Sequence, residues 1–221
     1  MLDPTGARTY RPRLVLLSGR FEGPVEDTTG ILHDYLAERV PVEQEVVQWP
    51  APGEPVSLAA VDEADVVLVF ADGVAAEPAG LERLRSWCAG GGSVVAVRAV
   101  GAAFRGWPEF EAEVLGGRVE AGDAALESFA VDFAADGETH PLLQGMEPFE
   151  GFGPPVVAHL AADAEVVCVA PSAAGSAPVA WTRQRGRARH FATTLGSPRD
   201  FWEYDFLRLV ENAVAWAARL I

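Results

Sequence analysis

Four short candidate strands in the first part of the chain constrain its fold more than any other feature. They are Leu14–Leu17, Val42–Val47, Asp65–Phe70 and Ser93–Val97. The third run is continuous and β-branched, which is typical of a strand that is covered on both faces. A helix is expected between the first two runs, with Asp27 or Thr28 as its cap. A second helix is expected from Pro78 to the stop at Gly90-Gly91-Gly92. The alternation predicts an α/β fold with a parallel sheet and helices on both faces.

The second half of the chain changes character and predicts a β-rich extension of that sheet. The expected strands are Glu127–Phe133, Glu165–Ala170, Pro178–Thr182 and Ala188–Leu195. The polar turn Gln184-Arg185-Gly186-Arg187 joins the last two into a hairpin, which delivers Gly196-Ser197 to the rim of the sheet. A final helix over Phe206–Ile221 packs back onto the sheet through its apolar side. We expect an N-terminal tail over 1–12 and a single domain over 13–221.

The composition of the chain limits the kinds of partner that we expect it to bind and the compartment in which we expect it. The net charge of −15 opposes a nucleic-acid partner, which requires a concentrated positive surface. Apolar residues make up 49% of the chain, which is enough for a sizeable core and opposes disorder. The first residues lack the apolar segment of a signal peptide, and no run approaches ~18 apolar residues. We therefore expect a soluble cytoplasmic protein with no membrane partner.

The cysteines and histidines do not form a recognisable metal or disulfide pattern. Cys88 and Cys168 both lie in apolar surroundings and are interpreted as small core residues. No two histidines have the spacing of metal ligands, and each has a more ordinary structural interpretation. His140, before Pro141, is expected to cap or brace a turn. His33 is expected on the first helix, and His159 and His190 are expected in strands. We expect no metal and no cofactor.

Candidate binding residues follow the predicted strands, because ligands of parallel sheets bind where the strands end at their carboxyl termini. These ends are Ser18-Gly19-Arg20, Ala71-Asp72-Gly73 and Arg98-Ala99-Val100. Arg98 is the strongest candidate, since a permanent charge directly after a buried strand needs a partner or a ligand. Asp72 is a carboxylate at a strand end, although Asp-Gly is also ordinary turn chemistry.

Other polar and aromatic residues could complete a pocket at this edge. Trp107 could stack on a sugar face or act as a packing residue before a helix. Glu109 is most simply a carboxylate in the first turn of that helix. The whole set that could surround a pocket comprises Arg20, Asp27, Asp72, Trp107, Glu109, Arg199 and Asp200.

Several spaced segments resemble the trehalose-utilisation (ThuA-like) family. They are HPLLQGMEPF from His140, APVAWTRQRGRARHFATTLGS from Ala177, FLRLVENAVAWAA from Phe206, GGGSVVAV from Gly90 and AFRGWPEF from Ala103. The resemblance runs from about Leu14 to the end of the chain. It implies a flavodoxin-like fold of the class I glutamine amidotransferase type, and a role in the use of trehalose or related sugars.

At three rim positions this sequence departs from the pattern of that family. Arg98 stands where the family commonly has a histidine, and Ser197 stands where it commonly has another. The place of an Asp-Glu pair falls at Gly153 and Pro154. Arginine stays protonated and cannot act as a general base, but it can clamp an anion or bridge hydroxyl groups. Glutamine amidotransferase chemistry is excluded, because it requires a cysteine where this chain has Arg98.

These observations predict a sugar or sugar derivative bound at the carboxyl edge of the sheet. The residues expected to bind it are Arg98, Arg20, Asp72, Trp107, Ser197 and Arg199. One alternative is a non-catalytic binding or scaffolding protein on the same fold, and a homo-oligomer is left open. Another is an enzyme whose anionic substrate is held by arginines. Whether the chain is catalytic also stays open.

Overall fold

The computed structural model describes residues 10–19, 28–49, 54–99, 101, 103–121, 127–134, 139–153, 156–172 and 175–221. The strands are β1 (Arg13–Ser18), β2 (Glu43–Gln48), β3 (Val66–Phe70), β4 (Ser93–Val97), β5 (Gly117–Ala121), β6 (Ser128–Phe133), β7 (Phe149–Phe152), β8 (Val156–Leu160), β9 (Ala164–Ser172), β10 (Gly175–Arg185) and β11 (Ala188–Thr193). The α-helices are α1 (Thr28–Arg39), α2 (Pro78–Ala89) and α3 (Tyr204–Ala217). Single helical turns occur at Ala59–Glu63, Pro141–Leu143 and Asp200–Trp202, and a π-helix spans Glu111–Leu115.

Nine strands form one mixed sheet in the order β2-β1-β3-β4-β11-β10-β9-β6-β7. The pairs from β2 to β11 are parallel, and the pairs from β11 to β7 are antiparallel. β5 and β8 form a separate antiparallel pair. Thr193 of β11 lies opposite Val97 of β4, so the residues that follow these two strands leave the sheet at the same edge.

Two apolar clusters hold the helices against the sheet. Alternate residues of β1 and β3 explain the arrangement, because successive side chains of a strand point to opposite faces. Leu14 and Leu16 join the cluster that contains α1 and α3, whereas Val15 and Leu17 join the cluster that contains α2. Every residue of β3 is buried, as its continuous apolar sequence predicts. The α/β class expected from the sequence is confirmed.

Several element boundaries differ from the sequence predictions. The β10–β11 hairpin is longer than expected: Gln184 and Arg185 still pair with Arg189 and Ala188, so the turn contains only Gly186 and Arg187. Gly186 has a φ of 58°, which suits a two-residue hairpin turn. At the other end β11 stops at Thr193, before the predicted end at Leu195, although the Thr194 N–H still donates to the Val179 carbonyl of β10.

The predicted C-terminal helix is also shorter than expected and ends at Ala217. The final residues leave the helix through Arg219, whose φ is 61°. The strands β5 and β7 and the π-helix were not predicted. No helix in the ranges described above is long and apolar enough to cross a lipid bilayer.

Candidate functional site

Arg98 follows β4 directly and has a left-handed backbone with a φ of 56°. This conformation costs roughly 1–2 kcal/mol in a residue that carries a Cβ. Two hydrogen bonds hold it: the Arg98 N–H donates to the Leu195 carbonyl at 2.8 Å, and the Ala99 N–H donates to the Thr193 carbonyl at 2.8 Å. Arg219 shares the conformation but lies at a helix end, where it is ordinary. At a strand end it is uncommon and points to a local constraint.

The loop after β11 lies against Arg98. A Cβ added to Gly196, whose φ is 129°, would stand 2.8 Å from Val97 Cγ1 and 3.1 Å from the Arg98 Cβ. A side chain at position 196 would therefore be too close to Val97 and Arg98, so only glycine fits there. A Cβ on Gly153 would stand 3.7 Å from the Ser197 Cβ. The structure therefore brings together three rim positions that the sequence singled out, although Arg98, Gly153 and Ser197 come from distant parts of the chain.

Asp200 holds the loop after β11 in place through hydrogen bonds to backbone N–H groups. Its side chain is fully buried, and its Oδ2 accepts the N–H groups of Gly196 and Ser197, each at 2.7 Å. Its Oδ1 accepts the Phe152 N–H at 2.8 Å, which ties the loop to the end of β7. Burial raises the pKa of this carboxyl, and the three N–H donors oppose that rise. Asp200 is thus a positioning residue for Ser197 rather than a rim residue.

Arg199 lies on the exposed side of the same loop. Its guanidinium carbon stands 4.1 Å from the centre of the Phe152 ring, an arrangement typical of a cation–π contact. Trp202, two residues beyond Asp200, has 70% of its surface exposed. The sequence did not indicate Trp202, because an isolated aromatic residue in an irregular segment does not reveal whether it is buried.

The remaining predicted site residues are not all at this edge. Asp72 follows β3 as expected and is exposed. Trp107 is buried, with its ring 5.1 Å from that of Phe110 and the Arg85 guanidinium 4.8 Å from its centre. Because both neighbours contact the ring, the structure favours the packing alternative for Trp107. Arg20 and Asp27 lie outside the described residues.

Glu111 is a buried acid that sequence reasoning missed. It is 3% exposed and belongs to the π-helix. Its Oε1 accepts the Ala103 N–H at 3.0 Å, whereas its Oε2 is buried without a hydrogen bond of good geometry to any described residue. Burial raises the pKa of the Glu111 carboxyl, and the negative charge of Asp72 adds to the rise. Glu111 therefore braces the segment that follows Arg98.

The comparisons with known proteins agree with this architecture. Residues 24–217 match the model of the ThuA family, which is described as trehalose utilisation. The chain belongs to the ThuA family. No curated protein matches it. This confirms the family that the spaced sequence segments indicated.

Solved structures similar to this ThuA-family chain include two ThuA-like proteins and a glutamine amidotransferase. The one from Parabacteroides merdae has a TM-score of 0.73 at 16% identity, over 95% of this chain and 90% of that protein. The one from Bacteroides uniformis has a TM-score of 0.67 at 15% identity, over 96% and 94%. The glutamine amidotransferase from Thermotoga maritima has a TM-score of 0.57 at 11% identity, over 95% and 99%. At these identities the likeness shows the fold alone.

The chemistry available to the ThuA-family chain at this edge is that of binding. Arg98 and Arg199 supply cationic donors, whereas the Ser197 hydroxyl oxygen is buried next to Asp200. Within the described ranges, no three His, Cys, Asp or Glu side chains are grouped so that they could hold a metal ion. The buried carboxylate of Asp200 is already engaged by three N–H groups.

Proposed function

We propose that this ThuA-family chain binds a sugar or sugar derivative at the carboxyl edge of its parallel strands, with Arg98 as the principal contact. The description of the family suggests a role in trehalose utilisation. The observation that carries the proposal is the left-handed backbone of Arg98. Strained residues of this kind persist where surrounding structure holds them, and they cluster at ligand sites.

The chemistry of the edge favours a derivative that carries a negative charge. A guanidinium group offers five N–H donors in a planar fork, which matches a carboxylate or phosphate better than a single hydroxyl group. Arg199 adds a second cation on the neighbouring loop. We therefore propose that sugar acids and sugar phosphates bind more tightly than neutral sugars.

Binding without catalysis is the form of this proposal that the rim residues favour. A general base must accept a proton near neutral pH, and Arg98 cannot do so. Asp200 is buried beneath the loop and accepts three backbone N–H groups, so it does not face a ligand. The second candidate function is scaffolding, in which a homo-oligomer covers the edge.

A thermal-shift screen tests the proposal. The ligands are trehalose, glucuronate and glucose 6-phosphate, each measured with the wild-type chain, Arg98→Ala and Arg219→Ala. Arg219 is the matched control, because it shares the left-handed backbone but ends α3. We expect glucuronate or glucose 6-phosphate to raise the Tm of the wild type and of Arg219→Ala, with the rise lost in Arg98→Ala.

Two outcomes would contradict the proposal. An equal rise in Arg98→Ala would remove Arg98 from the site. The absence of any response, together with a stable oligomer in sedimentation, would favour scaffolding.

A further inference from the structure

A second concavity lies away from the edge that carries Arg98. It is a cavity of about 470 Å³ between the end of α2, the π-helix and the β10–β11 hairpin. Three elements that are distant in sequence meet there. The lining residues that matter for its chemistry are Arg85, Cys88, Trp107, Glu113, Arg185 and His190.

Arg85 is held in place on the α2 side of the cavity. Its guanidinium lies 4.8 Å from the centre of the Trp107 ring, and its Nη1 donates to Glu82 Oε1 at 3.0 Å. Its Nε is buried and has no hydrogen-bond partner among the residues that the structure describes. The cation is therefore oriented by protein contacts, with one donor left unused.

Arg185 faces the same cavity from the end of β10. Its Nη1 donates to the Glu113 carbonyl at 3.3 Å. The nearby Arg183 differs, because it donates to the Asp163 carboxylate at 3.0 Å and is thereby neutralised. Within the described part of the chain, Arg185 has no carboxylate within ion-pair distance. Its charge also acts on the Asp163 carboxyl, whose pKa is lowered first by the hydrogen bond from Arg183 and further by Arg185.

His190 provides the third donor. The ring is 3% exposed, and its Nδ1 lies 3.3 Å from the backbone N–H of Val94, which donates to it. An Nδ1 that accepts this bond carries no proton, so the neutral ring carries its proton on Nε2. Burial, with the positive charges of Arg183 and Arg185, lowers the pKa of His190 to about 4 and keeps the ring neutral. The neutral ring can therefore donate only through Nε2.

Charged groups of both signs meet at this cavity. The guanidinium groups of Arg85 and Arg185 and the carboxylate of Glu113 line it, and Arg85 also pairs with Glu82 at 3.0 Å. One oxygen of the Glu113 carboxylate already accepts the Trp107 Nε1–H at 2.8 Å. Apolar walls from Cys88 and Ala188 leave room for an uncharged portion of the ligand.

We propose that this cavity is a second binding site, which takes the carboxylate or phosphate group of a small metabolite between Arg85, Arg185 and His190. The two guanidinium groups supply the charge, and the His190 Nε2–H supplies a directed donor. The site shares no residue with the edge around Arg98, so a test of one site does not decide the other.

Titrations followed by NMR test the site. The indole Nε1–H of Trp107 is the reporter, because Trp107 lines the cavity. The probes are inorganic phosphate and acetate at constant ionic strength, with chloride as the reference salt. Phosphate represents a phosphate group of the ligand, and acetate represents a carboxylate group. We expect a saturable shift of the reporter with at least one probe, weakened about tenfold or more in Arg185→Gln and in His190→Gln.

Matched variants make the outcome decisive. Arg83→Gln lies on the same helix, but Arg83 pairs with Asp62 outside the cavity, so we expect it to bind like the wild type. Arg98→Ala should also retain this binding, which separates the cavity from the edge site. Arg85→Gln replaces Arg185→Gln if the latter fails to fold. A shift that never saturates, or one that is equal in the cavity variants and in Arg83→Gln, would overturn the proposal.

Discussion

The backbone N–H of Arg98 donates to the carbonyl of Leu195 at 2.8 Å, across the ends of two parallel strands. This bond extends the β4–β11 pairing by one residue beyond the sheet and holds Arg98 in its left-handed conformation. Gly196 follows Leu195 and leaves space for the Arg98 Cβ. The hydrogen bond and the glycine together fix the position of the Arg98 backbone, from which the guanidinium group extends.

Replacing Arg98 with glycine should be better tolerated than replacing it with alanine. Both variants lose the same side-chain contacts, but only alanine keeps a Cβ in the left-handed region. We expect Arg98→Gly to be more stable than Arg98→Ala by about 1 kcal/mol, as measured by urea denaturation. Equal stabilities would show that Arg98 is not strained in solution.

Adding a methyl group at Gly196 should disturb the edge through contact as well as through backbone strain. Gly175 provides the control, because its φ is 112° but nothing lies within 4 Å of an added Cβ. We expect Gly196→Ala to be less stable than Gly175→Ala by about 1–3 kcal/mol, the usual cost of overpacking. Denaturation midpoints and slopes of both variants give this difference, and similar losses would mean that the close approach to Arg98 relaxes freely.

Removing the Asp200 carboxylate should loosen the loop that carries Ser197. Asp200→Ala leaves three N–H groups without their acceptor; the bond from Gly196 is buried, and those from Ser197 and Phe152 are part-buried. An unsatisfied buried group costs about 1–3 kcal/mol, so we expect a loss of roughly 2–4 kcal/mol in stability, with faster amide hydrogen exchange at Ser197. Asp205→Ala is the control, because Asp205 accepts a single N–H at an exposed position. A comparable loss in both variants would contradict the positioning role of Asp200.

Acid should destabilise the protein through His190. The folded-state pKa of about 4 lies below the ordinary value of 6.5, so only the unfolded chain takes up this proton between those values. Stability from this group is complete above pH 6.5 and falls as the pH decreases toward 4, by about 3 kcal/mol in total. His190→Gln keeps an acceptor for Val94 but does not titrate.

Urea denaturation at pH 7.5 and pH 5 measures this effect. We expect the loss of stability between these pH values to be smaller in His190→Gln than in the wild type by about 2 kcal/mol. His33→Gln is the control, because His33 is partly exposed and pairs with the adjacent Asp34. The same pH dependence in the wild type and in His190→Gln would show that His190 titrates normally in the folded chain.

Most of the parallel part of the fold could be predicted because β1, β3 and β4 are buried, whereas the edge strand β2 is partly exposed. β4 was predicted with its observed limits, Ser93–Val97, since an apolar run between a glycine stop and a charged residue leaves little choice. His140 was also expected to brace a turn, and its Nδ1 accepts the Leu142 N–H at 3.2 Å. Such features depend on residues that are neighbours in the sequence, so the sequence alone predicts them.

The π-helix could not be predicted, because its hydrogen bonds change which residues share a face. In the segment from Trp107 to Leu115 the sequence favoured Glu109 as the notable acid, whereas Glu111 is the buried one. Similarly, nothing in the sequence marked Arg98 as left-handed, since only glycine usually signals that conformation. The meeting of Gly153 with Ser197 depends on long-range strand pairing.

A crystal structure of the chain grown with saturating glucuronate tests the central claim most directly. We predict an ordered sugar at the edge between β4 and β11, with its carboxylate about 3 Å from the guanidinium nitrogens of Arg98. An ordered glucuronate elsewhere, or an empty edge with Arg98 turned away from it, would contradict the account.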